Sequence, residues 1–316
     1  MKRLKLLGAI TDSVRATVVI ASGLLLAEQG VAFADSTPFS RIIVFGDSLS
    51  DTGNYYEMSG AYPPGYSGWE GRFCNGPLWV EYLAEDLGMT GLLEDYAFWG
   101  AIAGHDESGI PGVQDQIALY FGGSPVADPE ALYIVWAGHN EVFRYLLAGD
   151  AGPLSAFVDN TINNIQTLWN AGARHILVGN ISDLGKTPML VGTPISAFVS
   201  GLVGFNNQSL ADALNSLAAE GVPTIAVDVF TFTDYLAAHP YQFGFSNVTD
   251  PGIALYPAEP TGYLFWDAAH LTTAGQHAIE RLAVGCLIDY LSPSRGNGMP
   301  PAQVNALHGL VRAGKP

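Results

Sequence analysis

The feature that most constrains the fold of this chain is an alternation of short apolar runs with longer amphipathic segments. Apolar runs of strand length occur at residues 41–45, 92–98, 131–137, 174–179 and 224–229. Segments with the apolar spacing of a helix occur at residues 77–87, 113–121, 153–171, 198–220 and 272–291. Runs without polar alternation are typical of parallel strands that helices cover on both faces. The sequence therefore predicts an α/β fold, a three-layer sandwich around a five-stranded parallel sheet.

The two ends of the chain differ in composition from the segment between them. Residues 1–34 combine Lys and Arg with an apolar run at residues 16–27 and an A-x-A site that ends at Ala34. This order is typical of a secretory signal peptide, and the run is shorter than the roughly 20 residues that span a bilayer. Residues 292–316 are rich in Gly, Pro and polar side chains, which favours a loosely ordered tail.

We therefore expect one folded domain at residues 35–291 in a secreted or periplasmic protein. An N-terminal membrane anchor is the alternative interpretation of the first segment. If the segment is cleaved, no stable membrane insertion is expected, because no later stretch approaches the length and apolarity of a membrane span.

Composition and charge exclude several classes of protein. Hydrophobic residues make up 48% of the chain and charged residues 14%, which excludes global disorder. The formal net charge of −17 provides no basic surface, so nucleic acid is not expected as a partner.

Two cysteines exclude a disulfide scaffold and a four-cysteine zinc site, and they leave open whether Cys74 and Cys286 pair. The pair His270 and His277 and the acidic run at residues 105–107 are weak metal signals, so no metal is expected.

A serine and a histidine carry the strongest chemical signal. Ser48 follows the first predicted strand, where we expect a helix to begin, and so lies at the edge of the sheet where active sites form. Asp267 precedes His270 by three residues on a turn into the last helix, so its carboxylate can reach and orient the imidazole. Together they could form an activated nucleophile. The alternatives are a serine that caps a turn and an Asp–His pair at the surface.

Two further strand ends carry groups that could bind a developing oxyanion. Asn140 follows the strongest strand, and its amide can donate a hydrogen bond. Gly100 follows a weaker strand, and a glycine lets a main-chain N–H approach a ligand closely. Each is an ordinary loop residue when considered alone.

The loop at residues 50–76 is long and unusually aromatic. Among its glycines and prolines lie several rings, of which Tyr62, Tyr66 and Trp69 are the candidates for substrate binding. Long loops in a compact domain are usually functional or disordered, and the rings argue against disorder. The alternative is that these rings pack inward and hold the loop on the core.

The motifs resemble those of one enzyme family. They are GDSLSDTGN from Gly46, GRFCNGPLWVEYLA from Gly71, the segment around Gly100, GHNE from Gly138 and FWDAAHLT from Phe265. In this order they resemble the GDSL, or SGNH, serine hydrolases over about residues 41–291. The chain departs from the family pattern at Cys74, Asp95, Trp99 and Glu141, which replace the usual Ser, Asn, Gly and Asp. No G-x-S-x-G motif is present, which excludes the nucleophile elbow of the α/β-hydrolases.

The resemblance implies roles for the residues at these motifs. Ser48 would be the nucleophile, His270 the base and Asp267 its partner, with Ser48, Gly100 and Asn140 as oxyanion donors. It also implies a flavodoxin-like sheet and esterase or lipase activity without a cofactor.

The substrate class stays open at this point. A small-molecule, lipid or acylated-sugar ester would suit an esterase of this family. A lipid acyltransferase or phospholipase and a polysaccharide acetylesterase are alternatives within the same chemistry. A non-catalytic carbohydrate- or surface-binding protein that retains the fold is an alternative of another class.

Overall fold

The computed structural model describes residues 37–256 and 258–291. The expected signal peptide at residues 1–34 and the expected tail at residues 292–316 therefore lie outside the described residues. The central element is a parallel sheet with the strand order β2-β1-β3-β4-β5. Its strands are β1 (Ile42–Gly46), β2 (Leu93–Asp95), β3 (Leu132–Trp136), β4 (His175–Gly179) and β5 (Ile225–Val227). The predicted five-stranded parallel sheet is confirmed.

Helices cover both faces of this sheet. The helices of the described residues are α1 (Asn54–Ser59), α2 (Trp79–Asp86), α3 (Val113–Phe121), α4 (His139–Ala148), α5 (Gly152–Ala171), α6 (Ser196–Ala219), α7 (Val229–Ala238) and α8 (Thr273–Leu291), of which α1 buries no side chain. Alternate residues of β1 point to opposite faces. Ile42 and Val44 pack in the core under α2 and α8, whereas Ile43 and Phe45 pack in the core under α3, α5 and α6. Strands buried on both faces explain why the apolar runs show no polar alternation.

The structure also contains elements that the sequence pattern did not predict. Helix α4 begins directly after β3, where we expected a loop. Helix α7 begins at Val229 because the side chain of Asp228 accepts a hydrogen bond from the main-chain N–H of Thr231 over 3.0 Å, which caps the helix and ends β5 early. A two-stranded parallel sheet of β6 (Asn247–Pro251) and β7 (Tyr263–Phe265) precedes the segment that carries Asp267.

The prediction that a helix begins at Ser48 is wrong. Residues 47–51 form a single turn in which the carbonyl of Asp47 accepts the main-chain N–H groups of Ser50 and Asp51 over 3.0 and 3.1 Å. The first helix after β1 begins only at Asn54. The polar residues between them use their side chains in local hydrogen bonds, which compete with a helical backbone.

Within residues 37–256 and 258–291, no helix combines the length and apolarity needed to cross a bilayer.

Candidate active site

Ser48, His270 and Asp267 meet at the carboxyl-end edge of the sheet. Oγ of Ser48 lies 2.8 Å from Nε2 of His270, and Nδ1 of His270 lies 2.7 Å from Oδ2 of Asp267. The second oxygen of Asp267 accepts the main-chain N–H groups of Ala269 and His270 over 2.9 and 2.8 Å. All three side chains of this Ser48–His270–Asp267 set are buried. The geometry is that of a serine whose hydroxyl is bonded to an imidazole held by a carboxylate.

The carboxylate of Asp267 determines the charge state of this set. Burial lowers the pKa of His270, but the charge and the hydrogen bond of Asp267 raise it more, so the pKa lies above its usual value. Burial raises the pKa of Asp267, but the charge of His270 and the hydrogen bonds to Asp267 lower it overall. An ionised Asp267 would therefore stabilise an imidazolium at His270.

Three residues in the segments that follow β1, β2 and β3 have N–H groups suited to bind an anion. Within the described residues, the main-chain N–H groups of Ser48 and Gly100 have no protein acceptor. Gly100 has a φ of +79°, a conformation that strains any other residue. The amide nitrogen of Asn140 donates one hydrogen bond to the carbonyl of Ala101 over 2.8 Å, which leaves its second N–H free. Asn140 lines the cavity beside Ser48, whereas Trp99 rather than Gly100 forms the cavity wall at this loop.

The loop that carries Gly100 is held from two sides. The carboxylate of Asp51 accepts the main-chain N–H of Trp99 over 2.8 Å. Burial of the Asp51 carboxyl raises its pKa to about 6. Glu141, which follows Asn140, accepts the main-chain N–H of Ala103 over 2.6 Å. Side chains from the turn of Ser48 and from helix α4 therefore fix the position of this loop.

A second Asp–His–Ser set lies beside the first, and the sequence analysis did not identify it. Nδ1 of His139 lies 2.8 Å from Oδ2 of Asp47, and Nε2 lies 3.1 Å from Oγ of Ser182. The main-chain N–H of Ser182 also donates to Nε2 over 3.2 Å. Because a main-chain N–H can only donate, Nε2 carries no proton and Nδ1 donates to Asp47. The signal in the sequence was the position of His139 at a strand end, between Gly138 and Asn140.

The second set differs from the first in one respect. Nε2 of His139 already accepts a main-chain N–H, whereas Nε2 of His270 faces the Ser48 hydroxyl as its hydrogen-bond partner among the described residues. Of the two histidines, only His270 therefore directs the lone pair of Nε2 at a serine hydroxyl alone, which is the arrangement that a general base requires.

The three aromatic residues predicted to bind substrate lie in different surroundings in the structure. Tyr66 lines the cavity, with its ring centroid 5.6 Å from that of His270. Tyr62 and Trp69 are not among the residues that line it. The hydroxyl of Tyr62 accepts the main-chain N–H of Gly71 over 2.8 Å, and the guanidinium of Arg72 lies 5.0 Å from the ring of Trp69. Both rings therefore hold their own loop together.

Comparison with known proteins identifies the family. Residues 42–282 match the family model of GDSL-like lipases and acylhydrolases. The chain belongs to this family of carboxylic ester hydrolases. The phosphatidylcholine-sterol acyltransferase of Aeromonas hydrophila is 33% identical over 227 residues, which are 69% of this chain and 67% of the acyltransferase. Esterase EstA of Pseudomonas aeruginosa is 25% identical over 83% of this chain and 49% of its own length.

Solved structures and further curated relatives extend the comparison. An acetyl xylan esterase has a TM-score of 0.47 at 15% identity and covers 77% of this chain and 96% of its own. A Pseudomonas putida protein that is 30% identical over 81% of this chain is matched over 50% of its own length. The chain therefore spans only about half the length of some relatives in the GDSL family.

Two other groups of residues singled out in the sequence have structural partners. His105 bonds to Asp115 over 2.6 Å, and Asp106 pairs with Arg144. His277 lies on α8, which begins after His270, so the two histidines do not share a helix face. Cys74 and Cys286 are both free thiols.

The cavity that contains Ser48 extends well beyond the GDSL motif residues. It has a volume of about 190 Å³ and reaches from His270 to α7 and β6. Besides Ser48 and His270, its polar lining includes Asn140, Ser182, Thr187 and Thr233 and the charged side chains of Asp183 and Lys186. Most of its remaining wall is apolar, including Leu184, Met189, Val229, Ala237, Val248 and Leu264. A mainly apolar cavity with a few convergent polar groups is typical of a site for a small organic ligand.

Proposed function

We propose that this protein is an exported serine hydrolase that cleaves carboxylic esters through an acyl-enzyme on Ser48. The observation that carries the proposal is the 2.8 Å contact between Oγ of Ser48 and Nε2 of His270. This contact opens into a cavity that also holds the amide of Asn140. The positive, apolar and A-x-A order of residues 1–34 supports export.

Acylation begins with proton transfer within the Ser48–His270–Asp267 set. His270 takes the proton of the Ser48 hydroxyl as Oγ bonds to the ester carbonyl carbon. The negative charge that develops on the carbonyl oxygen is met by the main-chain N–H groups of Ser48 and Gly100 and by the free N–H of Asn140. The C–O bond to the alcohol then breaks, and His270 gives its proton to the leaving alkoxide.

Deacylation repeats these steps with water. His270 takes a proton from the water as its oxygen bonds to the acyl carbon. The bond to Oγ of Ser48 then breaks, the proton returns to Oγ, and a carboxylic acid leaves. Asp267 stays ionised throughout and stabilises the imidazolium in both halves of the reaction.

The apolar wall of the cavity favours an ester with an apolar acyl chain over an acetylated polysaccharide. The relative named as a phosphatidylcholine-sterol acyltransferase supports a second candidate, in which an alcohol replaces water in deacylation. Small-molecule and lipid esters are thus the proposed partners, and no cofactor takes part in these steps.

Turnover of a nitrophenyl butyrate tests the proposal. The wild type should release nitrophenol, and Ser48→Ala should reduce kcat to the background rate with the melting temperature retained. Ser182→Ala is the matched control and should reduce kcat far less. Adding a long-chain alcohol then measures the fraction of acyl groups transferred rather than hydrolysed. A purified wild type that binds esters without turnover would contradict the proposal in favour of a binding protein.

A further inference from the structure

The cavity beside Ser48 shares part of its lining with a neighbouring cavity. Lys186, Ala237 and Val248, which come from the turn after β4, from α7 and from β6, line the cavity of Ser48. A second, more open cavity of about 250 Å³ lies against the same three residues. Its other lining residues include Asp234 and Ala238, which do not line the cavity of Ser48. The shared residues therefore form a partition between the inner and the outer cavity.

The partition combines small side chains with an ion pair. Ala237 contributes one methyl group, and Val248 is only partly buried in β6. Nζ of Lys186 lies 3.4 Å from Oδ1 of Asp234, and both side chains are about half exposed, at 45% and 47%. The charged ends of this pair therefore lie in solvent, while the apolar stem of Lys186 is free to contact the cavities.

We propose that this partition is the far end of the acyl-binding site, so that the side-chain volume at positions 237 and 248 sets the longest acyl chain that is cleaved efficiently. The inference rests on the proposed function, because it assigns the inner cavity to the acyl group. The walls between Ser48 and the partition are largely apolar, and Val229 and Leu264 are nearly fully buried, at 1% and 3% exposure. Each methylene that leaves water for such a wall gains about 0.8 kcal/mol, or about fourfold in kcat/KM. This gain stops where the chain meets the partition.

Two substitutions change the partition in opposite directions. Ala237→Phe fills the far end and should lower kcat/KM for dodecanoate esters at least tenfold, while the acetate ester changes less than twofold. Val248→Ala enlarges the far end and should move the preferred acyl length upward. Ala238→Phe is the matched control, because Ala238 is the next residue on the same helix and lines the outer cavity alone. It should leave the acyl-length profile as in the wild type.

The experiment measures kcat/KM for nitrophenyl acetate, butyrate, octanoate and dodecanoate with the four proteins. A parallel series of acetates with alcohols of increasing length tests whether the partition instead faces the leaving group. An altered acyl profile with an unaltered alcohol profile supports the proposal. An altered alcohol profile, or equal effects of Ala237→Phe and Ala238→Phe, overturns it.

The experiment measures folding separately from the preference for acyl length. Melting temperature and activity on the acetate ester show whether Ala237→Phe folds. If it does not, Val248→Ala decides, and an acyl profile that stays as in the wild type overturns the proposal. Loss of turnover in Ser48→Ala together with an unchanged profile in all partition variants would overturn the inference and leave the proposed function standing.

Discussion

Nδ1 of His139 lies 2.8 Å from Oδ2 of Asp47, so a buried hydrogen bond joins the turn of Ser48 to the helix that begins at His139. The other oxygen of Asp47 accepts the main-chain N–H of Leu49 over 3.0 Å. The carboxylate of Asp47, the residue before Ser48, thus binds both His139 and the main chain of Leu49, the residue after Ser48. The next residue after His139 is Asn140, the proposed oxyanion donor. His139 therefore couples the position of Ser48, the proposed nucleophile, to that of Asn140.

Loss of this bond should reduce turnover more than substrate binding. His139→Ala leaves Asp47 buried without its donor, and we expect kcat to fall at least tenfold while KM changes less than threefold. His139→Asn places an amide N–H close to the former Nδ1 and should restore most of kcat. Steady-state kinetics of the three proteins check this. Equal losses in both variants would show that the ring only fills space.

The pH dependence of kcat/KM should report the raised pKa of His270. The base must be neutral to accept a proton, so activity falls as the pH drops through this pKa. Because Asp267 raises the pKa, the acid limb of the wild type should lie above the ordinary value of about 6.5. Asp267→Asn should shift this limb to lower pH and reduce kcat by on the order of 10⁴. An acid limb that does not move in Asp267→Asn would contradict the assignment of the base.

Removal of one oxyanion donor should raise the barrier without unfolding the protein. Asn140→Ala deletes the free amide N–H, and we expect a loss of about 3 kcal/mol of transition-state stabilisation, mainly in kcat. Kinetics and a melting curve on the same sample check this. A fall in melting temperature that accounts for the lost activity would instead assign Asn140 to support of the Ala101 loop.

A buried carboxyl away from the site should make stability depend on pH. Glu280 on α8 is fully buried, its carboxyl faces that of Asp86, and its Oε2 lies 3.7 Å from Nε2 of His277. Burial, and then the charge of Asp86, raise its pKa well above the usual value. The folded state thus binds this proton more tightly than the unfolded state, and the stability that it contributes is lost as the pH rises from about 4.3 through the raised pKa.

Glu280→Gln cannot ionise and should escape this loss. Its melting temperature should rise relative to that of the wild type as the pH is increased from about 5 to about 8. Glu85→Gln, at an exposed position on α2 next to Asp86, is the control and should show no such trend. A constant difference between Glu280→Gln and the wild type across this range would contradict the expected ionisation.

The sequence predicted the sheet well because its strands are buried on both faces, which leaves an unbroken apolar run in each. It predicted the neighbours of His270 because Asp267 is only three residues away in the chain. Contacts across long separations were harder to predict: the bond between Asp47 and His139 joins residues 92 positions apart. The positions of the loop's aromatic side chains were also hard to predict, because such a loop can point its rings inward or outward with the same sequence. Tyr66 lines the cavity, whereas Tyr62 and Trp69 do not.

The most direct test of the account is the site of covalent labelling by an organophosphonate ester analogue. The reagent captures the serine that is activated by a neighbouring base, and mass spectrometry of the digested adduct locates it. Two serines, Ser48 and Ser182, lie on the cavity wall within hydrogen-bond distance of a histidine. The account predicts a single adduct on Ser48 that is lost in His270→Ala. An adduct on Ser182, or one on Ser48 that forms equally fast in His270→Ala, would contradict it.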